Sequence, residues 1–389
     1  MKSTDLRSVL KKNMMTVVLV VVYIFFIAMT NGRIFTPENF NNLIAQNAYV
    51  FILGVGMLMC MLTGGNIDLS CGSVVCLLGA IAGYFMVIRG MNIGLSVFLT
   101  LAIGVGYGCV LGYLIAYVNI PPWIATLAGY LAFRGLGTAI LSGNSSTGSI
   151  APFPESFLSI FSGKLFPTKL NNMNMPCMIA GIVAACLVIL LNVRSRAVKV
   201  KKGYEAESMQ AVLIRCVLLS AVILLFAYKL SMAGGIPTVL VWVVAIVLIY
   251  SFVTDKTTIG RHFYVVGGNR EAARLSGVNT RRIMFLAYLN MAVLTVITTW
   301  AVVARFQAAN STAGTNYEMD AISACVVGGV SAYGGAGSVF GMVVGATLVG
   351  VINLGMSLMG IDANYQKVVK GVVLLGAVAF DILSKKSAK

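Results

Sequence analysis

Residues 267–282 read GGNREAARLSGVNTRR, and this stretch decides the fold because nearly everything around it is apolar enough to sit in lipid. Glu271 to Leu275 are strong helix formers, Asn269 can cap the start, and Ser276-Gly277 can end the helix. A helix of about two turns is too short to be stable alone. Lys256 and Arg261 precede it, Arg281 and Arg282 close it, and a hydrophobic run stands on either side. Short basic loops between membrane spans stay on the cytoplasmic side, which is where the segment belongs. A plain solvated loop satisfies the same polarity. The pattern Gly-Gly-Asn-x-Glu-Ala-Ala-x-x-Ser-Gly-Val is more specific than that.

Composition sets the class. Hydrophobic residues make up 59% of the 389 and charged residues 10%, against about 25% charged in soluble domains. The chain reads as a polytopic membrane protein. Its formal net charge of +16 does not point to nucleic acid, because the basic residues are parcelled into short loops between hydrophobic runs, the positive-inside signature. The eight Cys lie mostly in apolar runs and form no C-x-x-C pair, so they read as small core residues. His262 is the only His, which removes most His-based catalysis and metal chemistry.

Lys2, Arg7, Lys11 and Lys12 precede a first, uncleaved span over 14–32. Further spans are expected at 43–63, 66–88, 94–117 and 121–141, the last opened by Pro121-Pro122 as suits a first helical turn. Residues 142–173 form the longest polar loop, expected outside and with a short helix near 154–163. A span at 175–193 returns to a basic loop at 194–202, and spans at 211–229 and 236–253 lead to the 267–282 segment. Then come 283–305, a less regular 318–334, 338–358 and 364–384, ending at Lys385, Lys386 and Lys389. The expectation is an all-α transmembrane bundle of about twelve spans, one permease domain over 1–389, with both termini cytoplasmic. Removing one span would put either 194–202 or the C-terminal lysines outside, against the charge rule.

Two stretches do not behave as simple spans: Leu62–Gly83, LTGGNIDLSCGSVVCLLGAIAG, and Glu318–Gly345, EMDAISACVVGGVSAYGGAGSVFGMVVG. Each sets carboxylate or amide groups beside paired glycines and then resumes as a glycine-spaced helix. Such breaks allow unwound backbone and close helix approach, tolerated at membrane depth only inside protein or beside a watery cavity. Broken segments in the two halves of a transporter point to its translocation site. Asp68 is a pathway candidate because burying a charge in lipid is costly; it is equally placed to cap the helix that begins near Leu69. Gly54-Val55-Gly56 and Gly104-Val105-Gly106-Tyr107-Gly108 lie within apolar spans and read as helix packing.

These residues carry a family resemblance. Gly65-Asn66-Ile67-Asp68-Leu69-Ser70 with Gly72-Ser73 resembles the G-x-I-D-L-S-x-G-S box of ribose, xylose and galactose permeases. Ile124-Ala125-Thr126-Leu127 with Ala132-Phe133-Arg134-Gly135 resembles their I-x-T-L…F-R-G segment. Gly260–Val278 resembles their coupling region. Glu318-Met319-Asp320-Ala321-Ile322 with Val327-Gly328-Gly329-Val330-Ser331 resembles E-L-D-A-I…V-I-G-G-T-S. The order is kept along most of the chain. It departs at Cys71, where Val is usual, and by two extra spans in 194–253, absent from shorter ribose-type permeases but similar to the xylose and multiple-monosaccharide permeases.

The resemblance implies the membrane subunit of an ABC monosaccharide importer in the plasma (inner) membrane, paired as a homodimer and served by an extracellular or periplasmic sugar-binding protein. Gly268, Asn269, Glu271, Ala272, Ala273, Leu275, Ser276 and Gly277 would then meet a separate ATPase subunit. Asn66, Asp68, Thr126, Gln307, Asn310, Glu318 and Asp320 would supply polar groups along the pathway or at its outer mouth, and Arg134 could pair with a buried carboxylate. No G-x-x-x-x-G-K-[ST] occurs, the nearest approach being Gly163-Lys164-Leu165. The chain is therefore expected to carry no cofactor, with ATP used by the partner, and no catalytic or metal site. Two alternatives stay open: an importer of nucleosides or another small polar solute, and an ion-coupled secondary transporter using Asp68 and Asp320.

Overall fold

The computed structural model describes residues 14–165, 167, 173–204 and 208–386. The basic residues Lys2, Arg7, Lys11, Lys12 and Lys389 lie outside the described residues. In chain order the helices are α1 (Met14–Met29), α2 (Pro37–Leu62), α3 (Cys71–Gly83, prolonged by a π-helical turn over Tyr84–Ile88), α4 (Ile93–Ala116), α5 (Pro122–Asn144), α6 (Glu155–Ser162), α7 (Met175–Lys201), α8 (Met209–Met232) and α9 (Thr238–Lys256). They continue with α10 (Thr258–Gly268), α11 (Arg270–Leu275), α12 (Thr280–Phe306), α13 (Tyr317–Val327), α14 (Val339–Leu358) and α15 (Ala363–Lys386).

Among the described residues, nine helices are long and apolar enough to cross a bilayer. The all-α, multi-spanning expectation holds at that level. Two expected elements take another form. The span expected at 318–334 is the 11-residue α13 followed by a turn-rich segment. Gly328-Gly329 ends that helix, with Gly329 at φ +84°, a left-handed value that glycine adopts without penalty. Eleven residues rise about 16 Å, roughly half the hydrocarbon thickness. The basic loop expected at 194–202 is helical through Lys201. Lys199 and Lys201 sit in its last turn, where cations favour the negative end of the helix dipole.

Local chemistry sets the starts. Asn174 Oδ1 accepts from Cys177 N at 2.9 Å at the head of α7. Thr257 Oγ1 accepts from Gly260 N at 3.0 Å to open α10, and Ser338 Oγ accepts from Gly341 N at 3.0 Å to open α14. Each is a side-chain oxygen taking an otherwise orphaned helical N–H.

The centre of the bundle is α2, α12 and α14, whose most apolar windows are 72%, 72% and 78% buried, whereas α7 and α8 are 17% buried. The α7–α8 hairpin lies at the periphery. It packs on itself where Gly181 meets Ala227 and touches the bundle where Phe226 sits edge-on to Phe40 at 4.6 Å.

The 142–173 loop is folded in its described part. Strand β1 (Ser149–Ile150) pairs antiparallel with β4 (Ala309–Asn310), and β2 (Lys164–Leu165) with β3 (Ile236–Pro237). Between them α6 drives Phe157 and Phe161 inward, and Phe161 packs on Trp242 and Trp300 at 5.5 and 5.4 Å. These pairings place 149–165, 236–237 and 309–310 at one end of the bundle. The 256–282 segment occupies the opposite end, because α9 and α12 connect the two.

Candidate functional site: two broken helices and a short polar helix

The polar segment folds as read. Asn269 Oδ1 accepts from Ala272 N at 2.9 Å and opens α11. At the other end Gly277 takes φ +83°, Gly277 N donates to Arg274 O and Val278 N to Ala273 O, both at 3.0 Å. This paired closure is a Schellman cap. Gly268, Asn269, Glu271, Ala272, Ser276 and Gly277 are exposed, and Leu275 is 81% exposed. Ala273, expected among the coupling residues, is fully buried and seats the helix on the bundle. Glu271 and Arg274 form an ion pair at 3.0 Å with both side chains open to solvent, a contact worth little to stability.

Both glycine-rich breaks reach this segment. Gly335 N donates to Leu62 O at 3.1 Å, and a Cβ on Gly267 would collide with that same carbonyl. A Cβ on Gly65 would strike Ala332 O, and one on Gly334 would strike the backbone of Gly64. Three backbone segments, 62–65, 267–268 and 332–335, therefore touch with no side chain between them. Tyr264 on α10 adds a bond from its hydroxyl to Gly337 O at 3.1 Å. Burial, with Asp255 nearby, holds this phenol above its ordinary pKa, so it remains a donor. Beside the joint opens a cavity of about 430 Å³ lined by Thr63, Gly64, Asn66, Asn119, Pro121, Pro122, Met284 and Gly267 to Arg270.

From that cavity the chain climbs unwound through Ile67 to Ser70. Tyr288 donates to Ile67 O at 3.4 Å. Asp68 is 1% exposed, and its Oδ1 accepts from Ser70 N at 2.8 Å and from the Ser70 hydroxyl, which also meets Tyr107 OH. The geometry is that of an Asx turn in the link before α3, whose N-cap residue is Ser70. At the start of α3, Gly72 meets Gly314 so closely that a Cβ on either would hit the other's carbonyl oxygen. Gly314 belongs to the loop after α12, which dips into the bundle before α13 begins. Two interrupted helices, α3 and α13, thus start side by side. Glu318 lies at this crossing, 2% exposed, its Oε2 against Gly72 and without a hydrogen-bond partner.

The seven residues expected on a pathway fall into separate groups. Asn66 lines the cavity at the α11 end and holds Thr63 O and Oγ1 from its Nδ2 at 3.3 and 3.1 Å. Thr126 is fully buried and bonds back to Pro122 O at 2.9 Å within its own helix. Gln307 is exposed at the left-handed end of α12, and Asn310 lies in β4, its Oδ1 accepting from Thr312 Oγ1 at 2.9 Å. Asp320 pairs with Lys370 of α15 at 2.9 Å and accepts from Tyr49 OH. Arg134 reaches backbone, Ala313 O at 2.7 Å and Ser311 O at 3.2 Å, and so pins the dipping loop to α5. Lys370 went unnoticed in the sequence although an ionisable residue inside an apolar helix is a signal in itself. Tyr49, Tyr107 and Tyr288 carried no such signal. Both Asp68 and Asp320 are thus committed to partners within the chain, and among the described residues no group of three His, Cys, Asp or Glu converges to hold a metal.

A multi-spanning α-helical bundle in which two interrupted helices meet, with an exposed polar helix following the joint they share with α10, is the architecture of a membrane permease. The chain belongs to the family described as branched-chain amino acid transport system / permease component, whose pattern it matches over residues 39–378. It is 32% identical to the xylose transport system permease protein XylH of Haemophilus influenzae, over 98% of this chain and 99% of that one. XylH of Escherichia coli K12 is also 32% identical, over 96% of this chain and 92% of its own. The ribose import permease protein RbsC of the same organism is 30% identical, over 94% and 92%. No solved structure matches the chain.

Proposed function

We propose that this chain is the transmembrane subunit of an ABC importer for monosaccharides of the xylose, galactose or arabinose kind, working in the plasma (inner) membrane as one permease domain over 1–389. In this reading two copies form the pathway, a separate ATPase docks on α11, and a sugar-binding protein delivers at the end that carries β1 to β4. The chain has no cofactor of its own, and ATP is used by the partner. The observation that carries the reading is the glycine joint, where the end of α10, immediately before the exposed short helix α11, touches both interrupted segments through backbone alone. The names of the full-length relatives, xylose and ribose permeases, support the substrate class.

Closure of the ATPase subunits would move α11 as a rigid body. Because 267–268 abuts both Leu62 and Gly335, the displacement would reach the two breaks together. Asn66 and the 430 Å³ cavity would form the exit, while the crossing of Gly72, Gly314 and Glu318 would form the narrow middle. Asp68 would hold the unwound backbone in shape beside that route, and Asp320 would tie α13 to α15.

The test is uptake of labelled xylose, galactose and ribose into vesicles, with the ATPase subunit and the binding protein each added or omitted. Uptake that requires ATP and both partners is the expected outcome and ranks the sugars. Uptake driven by an ion gradient without either partner would overturn the reading.

A further inference from the structure

A groove of about 300 Å³ runs between α2, α8, α9 and α14. Its wall is apolar apart from Asn47 and Thr347, with Phe40, Phe226 and Leu240 at one end and Phe51 and Leu248 toward the other. The Phe40 end lies at the β-strand end of the bundle, since α2 begins there and α9 follows β3 directly. From Phe40 to Phe51 a helix rises about 16 Å, close to half of a ~30 Å hydrocarbon core. The groove is thus about as long as one leaflet is thick. The groove is long, narrow and apolar along its length, a shape that seats an extended hydrocarbon chain.

The head of the groove is charged. Lys229 stands one turn beyond Phe226 on α8; its Nζ donates to Phe35 O at 2.9 Å and lies 3.9 Å over the Phe35 ring. An ammonium group has three donors, and that bond uses one. Arg33 and Glu38 are both exposed within the same turn-and-helix entry to α2, so the entrance offers a cation for a phosphate and a carboxylate for an ammonium.

We propose that this groove holds one acyl chain of a phospholipid whose phosphate is taken by Lys229. Phe226 lines the groove from the peripheral α7–α8 hairpin, and the other walls belong to the main bundle. The lipid fastens the hairpin to the bundle. The site depends on the membrane-spanning architecture and not on which solute is carried, so it stands or falls separately from the transport reading.

The full chain, purified in mild detergent and stripped of loose lipid, is examined by native mass spectrometry before and after incubation with phosphatidylethanolamine or phosphatidylglycerol. A phospholipid retained through stripping is expected. Thr347→Phe and Val247→Trp, which fill the groove, abolish retention while helix content and particle size stay as in the parent chain. Lys229→Gln leaves the groove open and weakens binding roughly tenfold or more, the scale of one charge-assisted hydrogen bond. Equal retention of both lipids means that phosphate alone is read. A preference for phosphatidylethanolamine assigns Glu38 to the ammonium, and one for phosphatidylglycerol makes the site anion-selective. Retention undiminished in both groove-filling variants overturns the proposal. So does a change of oligomer size in those variants with lipid unaffected, which would give the groove to a second copy.

Discussion

Asp68 is where a single side chain carries the most weight. Its Oδ1 satisfies the Ser70 amide and hydroxyl inside the bundle, and an amide oxygen would do the same. Asp68→Asn is therefore expected to fold and transport close to the parent chain. Asp68→Ala orphans a buried N–H, a loss of about 1–3 kcal/mol, and should lower both the thermal midpoint in detergent and the uptake rate. A stable Asp68→Asn that no longer transports would show that the carboxylate acts on the solute or an ion. The sequence placed this residue in an apolar stretch beside Leu69-Ser70 and could weigh cap against pathway only evenly, since both readings need the same residue at the same position. The bond to Ser70 belongs to the fold and could not be read from spacing. The same holds for Glu318 and Asp320. They are two apart on one short helix, yet Asp320 found Lys370 and Glu318 met only glycine backbone, a distinction made by α15 and α3 and invisible in spacing.

Among the elements, α11 was the most legible. Its cap residues, its charges and its glycine stop are local signals, and each acts within a few residues. The basic stretch after 193 is less legible for the opposite reason. Arg and Lys mark loops between spans, yet their helix propensity and the dipole let α7 run on to Lys201. The tenth expected span came out short because Gly328-Gly329 stops α13 after three turns, and hydropathy over a window does not register a stop. Leu275, standing 81% exposed on a helix of six residues, is the apolar anchor on which docking of the ATPase would rest. Leu275→Asp should cut co-purification of the ATPase at least about tenfold, the scale of a buried interface anchor, with membrane insertion unchanged. Glu271→Lys, which also breaks the exposed pair with Arg274, should act in the same direction and more weakly. Unchanged co-purification of both variants would move the docking surface elsewhere.

At the level of the whole molecule, the sequence ordered the parts along the chain but did not say which of them touch. Both breaks announced themselves by paired glycines. That 62–65, 267–268 and 332–335 would converge on one point is a property of the packed bundle, since the three are hundreds of bonds apart. The joint makes a sharp comparison possible between neighbouring residues. A side chain at Gly267 would strike the Leu62 carbonyl, whereas one at Gly268 meets nothing within 4 Å. Gly267→Val should leave the ATPase subunit bound and hydrolysing ATP but reduce uptake at least about tenfold, equivalent to ~1.4 kcal/mol in the coupling step. Gly268→Ala should be close to silent. Equal behaviour of the two would mean that the joint transmits nothing.

The small strands at the opposite end set a timetable for synthesis. Chains emerge at about 5–20 residues per second, and Lys164 and Leu165 must wait for Ile236 and Pro237, while Ser149 and Ile150 must wait longer, for Ala309 and Asn310. The loop that carries α6 therefore acquires its shape in two instalments, and the second cannot fall due before α12 has been threaded. Until then a newborn chain has most of its helices in place and an unfinished face, so the surface on which a delivering protein would land is completed late, with only α13 to α15 still to follow.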